Sequence, residues 1–340
     1  MRYFTRKVLE NKHLTIDEMK QAATLCLAPE TSDIAVTAFL TALRSKGETA
    51  EELAGMATVI RDQSTYSSLM LPEVMDNCGT GGDHSNSFNI STTAAFILAA
   101  SGVNVAKHGN RNISSMTGSA DVLEYLGIPL QAEPEEVSQS IHDHSIAFLY
   151  APHVHPSLGK LRNVRTHIGL PTIFNTIGPL TNPADLHAQM IGVYAKEQMR
   201  PLAEALIQLG RKRALIVHGA GGMDEASLAG SNDCLLVDHG TVTSFSIHPG
   251  DVHLPVAPIE AIRGGDAAKN AHILLNILRG EESPYADTAM LNAALGLFAY
   301  GIVEDVQEGL KRARNSIASQ KALHILQQMV QNNTQVKEGI

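Results

Sequence analysis

Apolar positions change their rhythm near residue 70. Before it they recur at helical spacing: Ile34, Ala35, Ala38, Phe39, Ala42 and Leu43 predict one face of a helix, closed by Lys46-Gly47. Thr15 with Glu18, and Thr49 with Glu52, stand at the spacing that lets a threonine and a glutamate cap a helix start reciprocally. Residues 1–70 therefore read as an all-helical domain. Its apolar surface exceeds what a small bundle needs, so the excess packs on the rest of the chain or forms a subunit interface.

Past Leu71-Pro72 the pattern turns to short apolar runs separated by helical stretches. Strands are expected at 73–77, 103–106, 146–151, 190–195 and 214–217, with a hairpin of 234–237 and 242–247 joined by Asp238-His239-Gly240. The first two strands are parallel by the length of the crossover between them. Helices are expected at 135–143, 267–278, 288–300 and 306–329, with a polar tail from Gln331 that frays. The fold class is α/β: a small all-helical N-terminal domain, then a larger domain over 71–340 with a mostly parallel sheet flanked by helices. No internal repeat or low-complexity linker interrupts it.

The candidate chemistry gathers between Asp76 and Gly127. Gly79-Thr80-Gly81-Gly82-Asp83 puts three glycines in four residues, so backbone can approach a ligand with no Cβ between. Asn89, Ser91 and Thr92 stand where the next helix starts, and its run Ala94–Ala100 is apolar all round, a buried helix. Free N–H groups at such a start, behind a glycine loop, suit an anion such as phosphate. After the second strand, Lys107-His108-Gly109-Asn110-Arg111 is expected as a polar loop beside the first, at the carboxyl ends of adjacent strands. Neither loop matches GxxxxGK[ST] or GxGxxG, and either alone could be an ordinary turn. Their pairing around one strand–helix–strand unit argues otherwise.

A third glycine loop, His218 to Glu225, ends in Asp224-Glu225. Adjacent acids are commonly solvated surface, but these follow a buried-looking strand, and Mg²⁺ takes one or two carboxylates together with substrate phosphates. His153 and His155 have a spacing that metal ligands use, yet no carboxylate or third histidine lies near them in sequence. Residues 151–183, dense in His, Arg, Gly and Pro, form a crossing segment whose backbone Pro179 and Pro183 restrict.

Bulk properties narrow the function. The 340 residues are 44% hydrophobic and 18% charged, with a net charge of −9, which argues against a general nucleic-acid surface. Cys26, Cys78 and Cys234 lack metal spacing and fit a reducing compartment; Cys78 reads as a small buried hydrophobe rather than a nucleophile. No signal core or membrane-length run is seen, so a cytoplasmic protein is expected.

GTGGD, FNIST, VAKHGNR and GSADVLE together resemble the anthranilate phosphoribosyltransferase family, of the nucleoside-phosphorylase-like class of phosphoribosyltransferases, and the likeness extends over essentially the whole chain. It implies transfer of phosphoribosyl from 5-phosphoribosyl 1-diphosphate (PRPP) to the amine of anthranilate, releasing diphosphate, in tryptophan biosynthesis. By motif matching, Gly79, Gly82, Asp83, Ser87, Asn89, Ile90, Ser91, Thr92, Lys107, His108, Gly109, Asn110, Arg111, Asn112, Ile113, Ser114, Ser115 and Ser119 would surround PRPP. Ser91, Asp224 and Glu225 would hold Mg²⁺, and Asn110 and Arg165 would meet anthranilate, with Gly79 near both substrates. The resemblance also implies a homodimer formed through the helical domain, and a segment near 165–188 that returns to that domain and walls the acceptor site. The chain departs from the family at His84, Ser87 and Met116, while Pro171 is shared with only some members; His84 and Met116 put local loop detail in doubt. Three other readings are weighed. A pyrimidine nucleoside phosphorylase shares the fold but should carry its own phosphate-loop signature; a non-catalytic nucleic-acid-binding paralogue conflicts with the acidic charge. A purely structural scaffold would not need the glycine loops.

Overall fold

A computed structural model describes residues 1–66, 69–111 and 117–338, with side chains as far as Gln331. Four helices lead: α1 (Arg2–Leu9), α2 (Ile16–Leu27), α3 (Asp33–Lys46) and α4 (Ala50–Asp62). Both expected capping boxes form, at Thr15/Glu18 and Thr49/Glu52. Glu52 does more than cap: its buried carboxylate also takes the Lys46 ammonium at 2.8 Å and the Leu14 N–H at 2.9 Å, so charge and backbone donors offset its burial. The buried face of α3 is Val36, Phe39, Leu40, Ala42 and Leu43, whereas Ile34 is 83% exposed. The spacing was helical, but the face is turned from the one the sequence suggested.

The second region alternates strands and helices. In order come β1 (Val74–Gly79), α5 (Ile90–Ala100), β2 (Val105–Gly109), α6 (Ser119–Tyr125), α7 (Pro134–His144) and β3 (Ile146–Tyr150). The crossing carries α8 (Ala151–Val154), α9 (Leu161–Ile168) and α10 (Ile173–Thr176). Then follow β4 (Leu186–Gly192), α11 (Met199–Gln208), β5 (Arg213–His218) and the hairpin of β6 (Asn232–Asp238) and β7 (Thr241–Ile247). Four helices close the chain: α12 (Ala267–Leu278), α13 (Pro284–Tyr300), α14 (Val306–Ala318) and α15 (Lys321–Glu338).

The sheet runs β3-β2-β1-β4-β5-β6-β7, parallel from β3 to β5 and antiparallel at β6 and β7. Strand order reverses between β1 and β4, the place where parallel sheets open a ligand crevice beyond their carboxyl ends. The helix α5, buried at all but one of its residues, packs against α13 behind that crevice. The crossing segment docks on the helical region: Leu161, Val164, Ile173, Phe174, Ile177 and Leu180 share one core with α2, α3 and α4.

Other expectations change as well, and the strand expected at 190–195 is β4, Leu186–Gly192. The stretch 306–329 is two helices, broken at Ser319-Gln320, where Gln320 takes φ 61°. The tail continues α15 to Glu338. Strand β2 runs on through Lys107, His108 and Gly109, so the expected polar loop is half strand.

Candidate active site

Glycine brings the acids in. Gly79 ends β1 and Gly192 ends the adjacent β4, and the segment Asp224-Glu225 lies across both. A Cβ on Gly192 would overlap the Asp224 carbonyl, and one on Gly79 would overlap its carboxylate. Gly219 stands in the same relation to the Glu225 carbonyl. Only residues without side chains let three backbone segments meet this closely.

Both acids take backbone donors. Asp224 Oδ2 accepts from Gly81 N–H at 2.7 Å, and Glu225 Oε1 accepts from Ser91 N–H at 3.2 Å, at the start of α5. The glycine loop and helix start therefore do meet acidic groups, and these are the protein's own carboxyls. Burial pushes the Asp224 carboxyl up to about 7, with Asp83 adding like charge. Glu225 is raised well above the carboxylate range by burial and then by Asp224 and Asp83, while Lys107 partly offsets this. Asn77, Gly79, Ser91, Gly192, Asp224, Glu225 and Asn292 line a residual space of about 10 Å³, room for one water-sized particle. Crowded, dehydrated carboxylates beside a serine hydroxyl are an all-oxygen donor set that suits Mg²⁺, and a cation there would relieve their repulsion. Asp83, whose carboxyl lies against that of Asp224, adds a further acid beside the pair.

The remaining residues divide. Gly82 takes φ 91° against the Tyr194 ring, and Ser87 pairs with Arg263 across an isolated bridge. Asn89 precedes α5 but does not cap it. Its amide instead donates to Thr117 O at 3.1 Å and accepts from Asn270 at 2.8 Å, tying the helix start to α12 and to the segment before α6. Ile90 and Thr92 are buried, Thr92 with an unpartnered hydroxyl. Lys107 is buried and donates to Asn77 O at 3.1 Å. His108, also buried, lies edge-on to His155 at 5.4 Å between ring centres. Burial holds both imidazoles neutral, near 3 for His108 and near 4 for His155. His155 meets Thr181 O at 2.9 Å, so its ring fastens the crossing segment. Gly109 passes so close to Ser119 that a Cβ would strike its hydroxyl, and that hydroxyl donates to Asn110 O at 3.3 Å.

Arg111 turns elsewhere. Its guanidinium is bidentate to Glu124 at 2.9 and 3.0 Å, reaches Asp121 at 3.0 Å and meets Tyr150 Oη at 3.2 Å. Arg165, on α9, lies 5.8 Å from the Phe174 ring centre, and its guanidinium shows no hydrogen bond or ion pair among the described residues. Burial lowers its pKa. Asn112, Ile113, Ser114 and Ser115 lie outside the described residues. Asn77, Gly192 and Asn292 were not anticipated; a glycine closing β4 as Gly79 closes β1 was the available signal.

Residues 2–64 match a glycosyl transferase family helical bundle domain, and residues 71–323 a glycosyl transferase family a/b domain. An anthranilate phosphoribosyltransferase of Exiguobacterium sibiricum is 53% identical over 94% of this chain and 95% of its own length. The crystal structure of anthranilate phosphoribosyltransferase from Thermus thermophilus superimposes with TM-score 0.89 at 38% identity, covering 97% of this chain and 99% of that one. The Saccharomyces cerevisiae enzyme in complex with PRPP and Mg gives 0.89 at 28% identity over 98% and 97%. The same yeast protein has also been solved with 4-fluoroanthranilate, with TM-score 0.86.

Proposed function

The chain belongs to the anthranilate phosphoribosyltransferase family, and from that premise we propose that it transfers phosphoribosyl from PRPP to the amine of anthranilate, releasing diphosphate, in tryptophan biosynthesis. One observation carries the reading. At the strand-order reversal, the glycine loop, the start of α5 and the Asp224-Glu225 pair converge on one small space, which Cys78 and Met190 also line. The nucleoside phosphorylase and nucleic-acid-binding alternatives are not favoured by this membership.

The chemistry asks little of a nucleophile. An aromatic amine attacks C1′ unaided, so catalysis consists of positioning the two substrates and stabilising charge on departing diphosphate. Ser91, Asp224 and Glu225 would hold Mg²⁺, which when bound neutralises leaving-group charge. The N–H groups of Gly81 and Ser91, the donors that the two carboxylates use, lie where they can also serve phosphate oxygens. The Lys107 ammonium, fixed on Asn77 O beneath the loop, adds positive charge from below. Gly79, Gly82, Asp83, Ser87, Asn89–Thr92, His108–Ser115 and Ser119 complete the PRPP side in this reading. Asn110 and Arg165 form the acceptor side. Arg165, near the Phe174 ring and with no carboxylate partner among the described residues, keeps its fork for the anthranilate carboxylate.

The protein acts as a homodimer through its helical region in this reading, which the outward-facing Ile34 and Ala38 of α3 support. It works in the cytoplasm, consistent with three free cysteines and no described helix long and apolar enough to cross a membrane. The test is direct: anthranilate fluorescence should fall when PRPP and Mg²⁺ are both present. No fall with either pair incomplete, and none with all three, would reject the function; a fall without PRPP would reject the donor.

A further inference from the structure

Strands β1 and β2 begin as neighbours and then part. Their register contains a single pair, Met75 with Val105, whereas β1 pairs with β4 through to Gly79. Beyond Met75 the polar groups that face across the β1–β2 gap are tied by side chains. Asp76 Oδ1 accepts from His108 N–H at 3.1 Å. Its Oδ2 accepts from Asn182 Nδ2 at 3.0 Å and from the Cys78 thiol at 3.3 Å. The same Asn182 amide donates to Ala106 O at 2.9 Å, while its oxygen takes Ala184 N–H at 2.9 Å. Lys107 closes the upper gap on Asn77 O. Asp76 and Asn182 are both fully buried.

A carboxylate here is expensive unless something depends on it. Every atom bonded to Asp76 is a donor, and these donors with the Lys107 charge favour the ionised form against burial, which pushes the carboxyl up; no cation is in direct contact among the described residues. Asn182 belongs to the crossing segment, one residue beyond Thr181, which His155 holds, and three beyond Pro179, which receives Gln189 Nε2 at 2.6 Å. One buried contact therefore joins the strand that launches the glycine loop, the strand that carries Lys107, and the segment that follows the Arg165 helix.

We propose that Asp76 and Asn182 form a positioning clamp that fixes the PRPP-facing strands and the acceptor-facing crossing segment at the separation in which C1′ meets the amine. The clamp touches neither substrate. It wedges β1 from β2 by replacing ladder hydrogen bonds with side chains of set length, and it makes the acceptor wall move with the donor loops. The inference rests on the phosphoribosyl-transfer reading for its kinetic consequence, though the coupling itself is structural.

Two measurements test it on the full chain. For Asp76→Asn, which keeps shape but places an amide donor against donors, and for Asn182→Ala, kcat per folded enzyme should fall about 10²-fold, as for a reacting pair misplaced by about 1 Å. The dissociation constant of PRPP measured without anthranilate should change by less than about 3-fold, a split that general loosening would not give. The double variant should be no worse than the poorer single one. Hydrogen exchange supplies the second arm: either variant should speed exchange about 10-fold or more both at 106–109 and at 178–184. A kcat within about 3-fold of the parent, fully additive losses, or faster exchange on one side alone would each overturn the clamp. A parent without turnover would reject the transfer reading instead, and the exchange arm would still decide the coupling.

Discussion

The two sides of β1 are built differently. Toward β4 the backbone ladder continues to the last residue, and Gly79 and Gly192 then bring Asp224-Glu225 against it with no side chain between. Toward β2 the ladder stops at Met75, and Asp76, Asn182, Lys107 and a neutral histidine pair occupy the space. The acid-bearing side tolerates no added atom. The other side is set by hydrogen-bond polarity. In the proposed reading, metal and diphosphate charge fall to the first, and the second sets how the donor and acceptor halves meet.

The largest break should come from Gly192→Ala. The new methyl cannot coexist with the Asp224 carbonyl, so the acidic segment must shift, and a displacement near 1 Å costs roughly 10²-fold or more in turnover. Steady-state kinetics beside a thermal melt should show activity falling further than the ~1–3 kcal/mol of overpacking explains. Activity within tenfold of the parent would mean that the close glycine contact is not what places the acids.

Asp224→Ala with Glu225→Ala keeps that backbone contact and removes both carboxyls, freeing the Gly81 and Ser91 N–H groups. Turnover at limiting Mg²⁺ should fall by about 10²-fold. The melting temperature should hold or rise, because two dehydrated carboxylates are gone. Turnover within a factor of two would remove the pair from the mechanism.

Arg165→Ala sharpens the division between donor and acceptor sides. Anthranilate kcat/KM should drop by the equivalent of ~1.5–3 kcal/mol, the size of hydrogen bonds to a charged group. The PRPP dissociation constant should barely move. Equal damage to both substrates with a lowered melting temperature would make Arg165 a structural contact of the crossing.

The smallest effect concerns pH. His108 and His155 are held neutral in the fold, near 3 and 4, but titrate near 6.5 when unfolded. The unfolded chain therefore binds protons first, and stability is lost as pH falls from about 6.5 toward those folded values, by at most ~1.4 kcal/mol per unit for each ring. Urea midpoints between pH 7.5 and 5.5 should decline less steeply for His155→Gln than for the parent. Identical slopes would show that this ring does not couple folding to protons.

Much of the acid-bearing side was legible, because its parts are contiguous: GTGGD, NIST and the Asp-Glu pair each sit where a strand or helix ends. Gly192 carried the same signal more faintly. The β2 side was not legible, since Asp76 and Asn182 lie 106 residues apart and neither stands in a motif that names the other. Placing Lys107 and His108 in a loop followed from their polarity; in the fold, Asn77 O and a second imidazole make a strand interior bearable for them. The outward Ile34 and the break at Gln320 show a further limit. Helical spacing fixes a period but not which face turns inward, and no glycine or proline marks that break.

The helical region and the sheet share apolar interior. Phe39, Leu40 and Leu43 of α3 belong to one cluster with Ile191 and Val193 at the end of β4, Leu202 and Leu206 of α11, and Ile216 of β5. Although two sequence families meet in this chain, neither could be excised without exposing oil to water along the seam. In a calorimeter the two regions should absorb heat together, as one peak, and a protease should find no intermediate in which the helices have melted while the sheet stands.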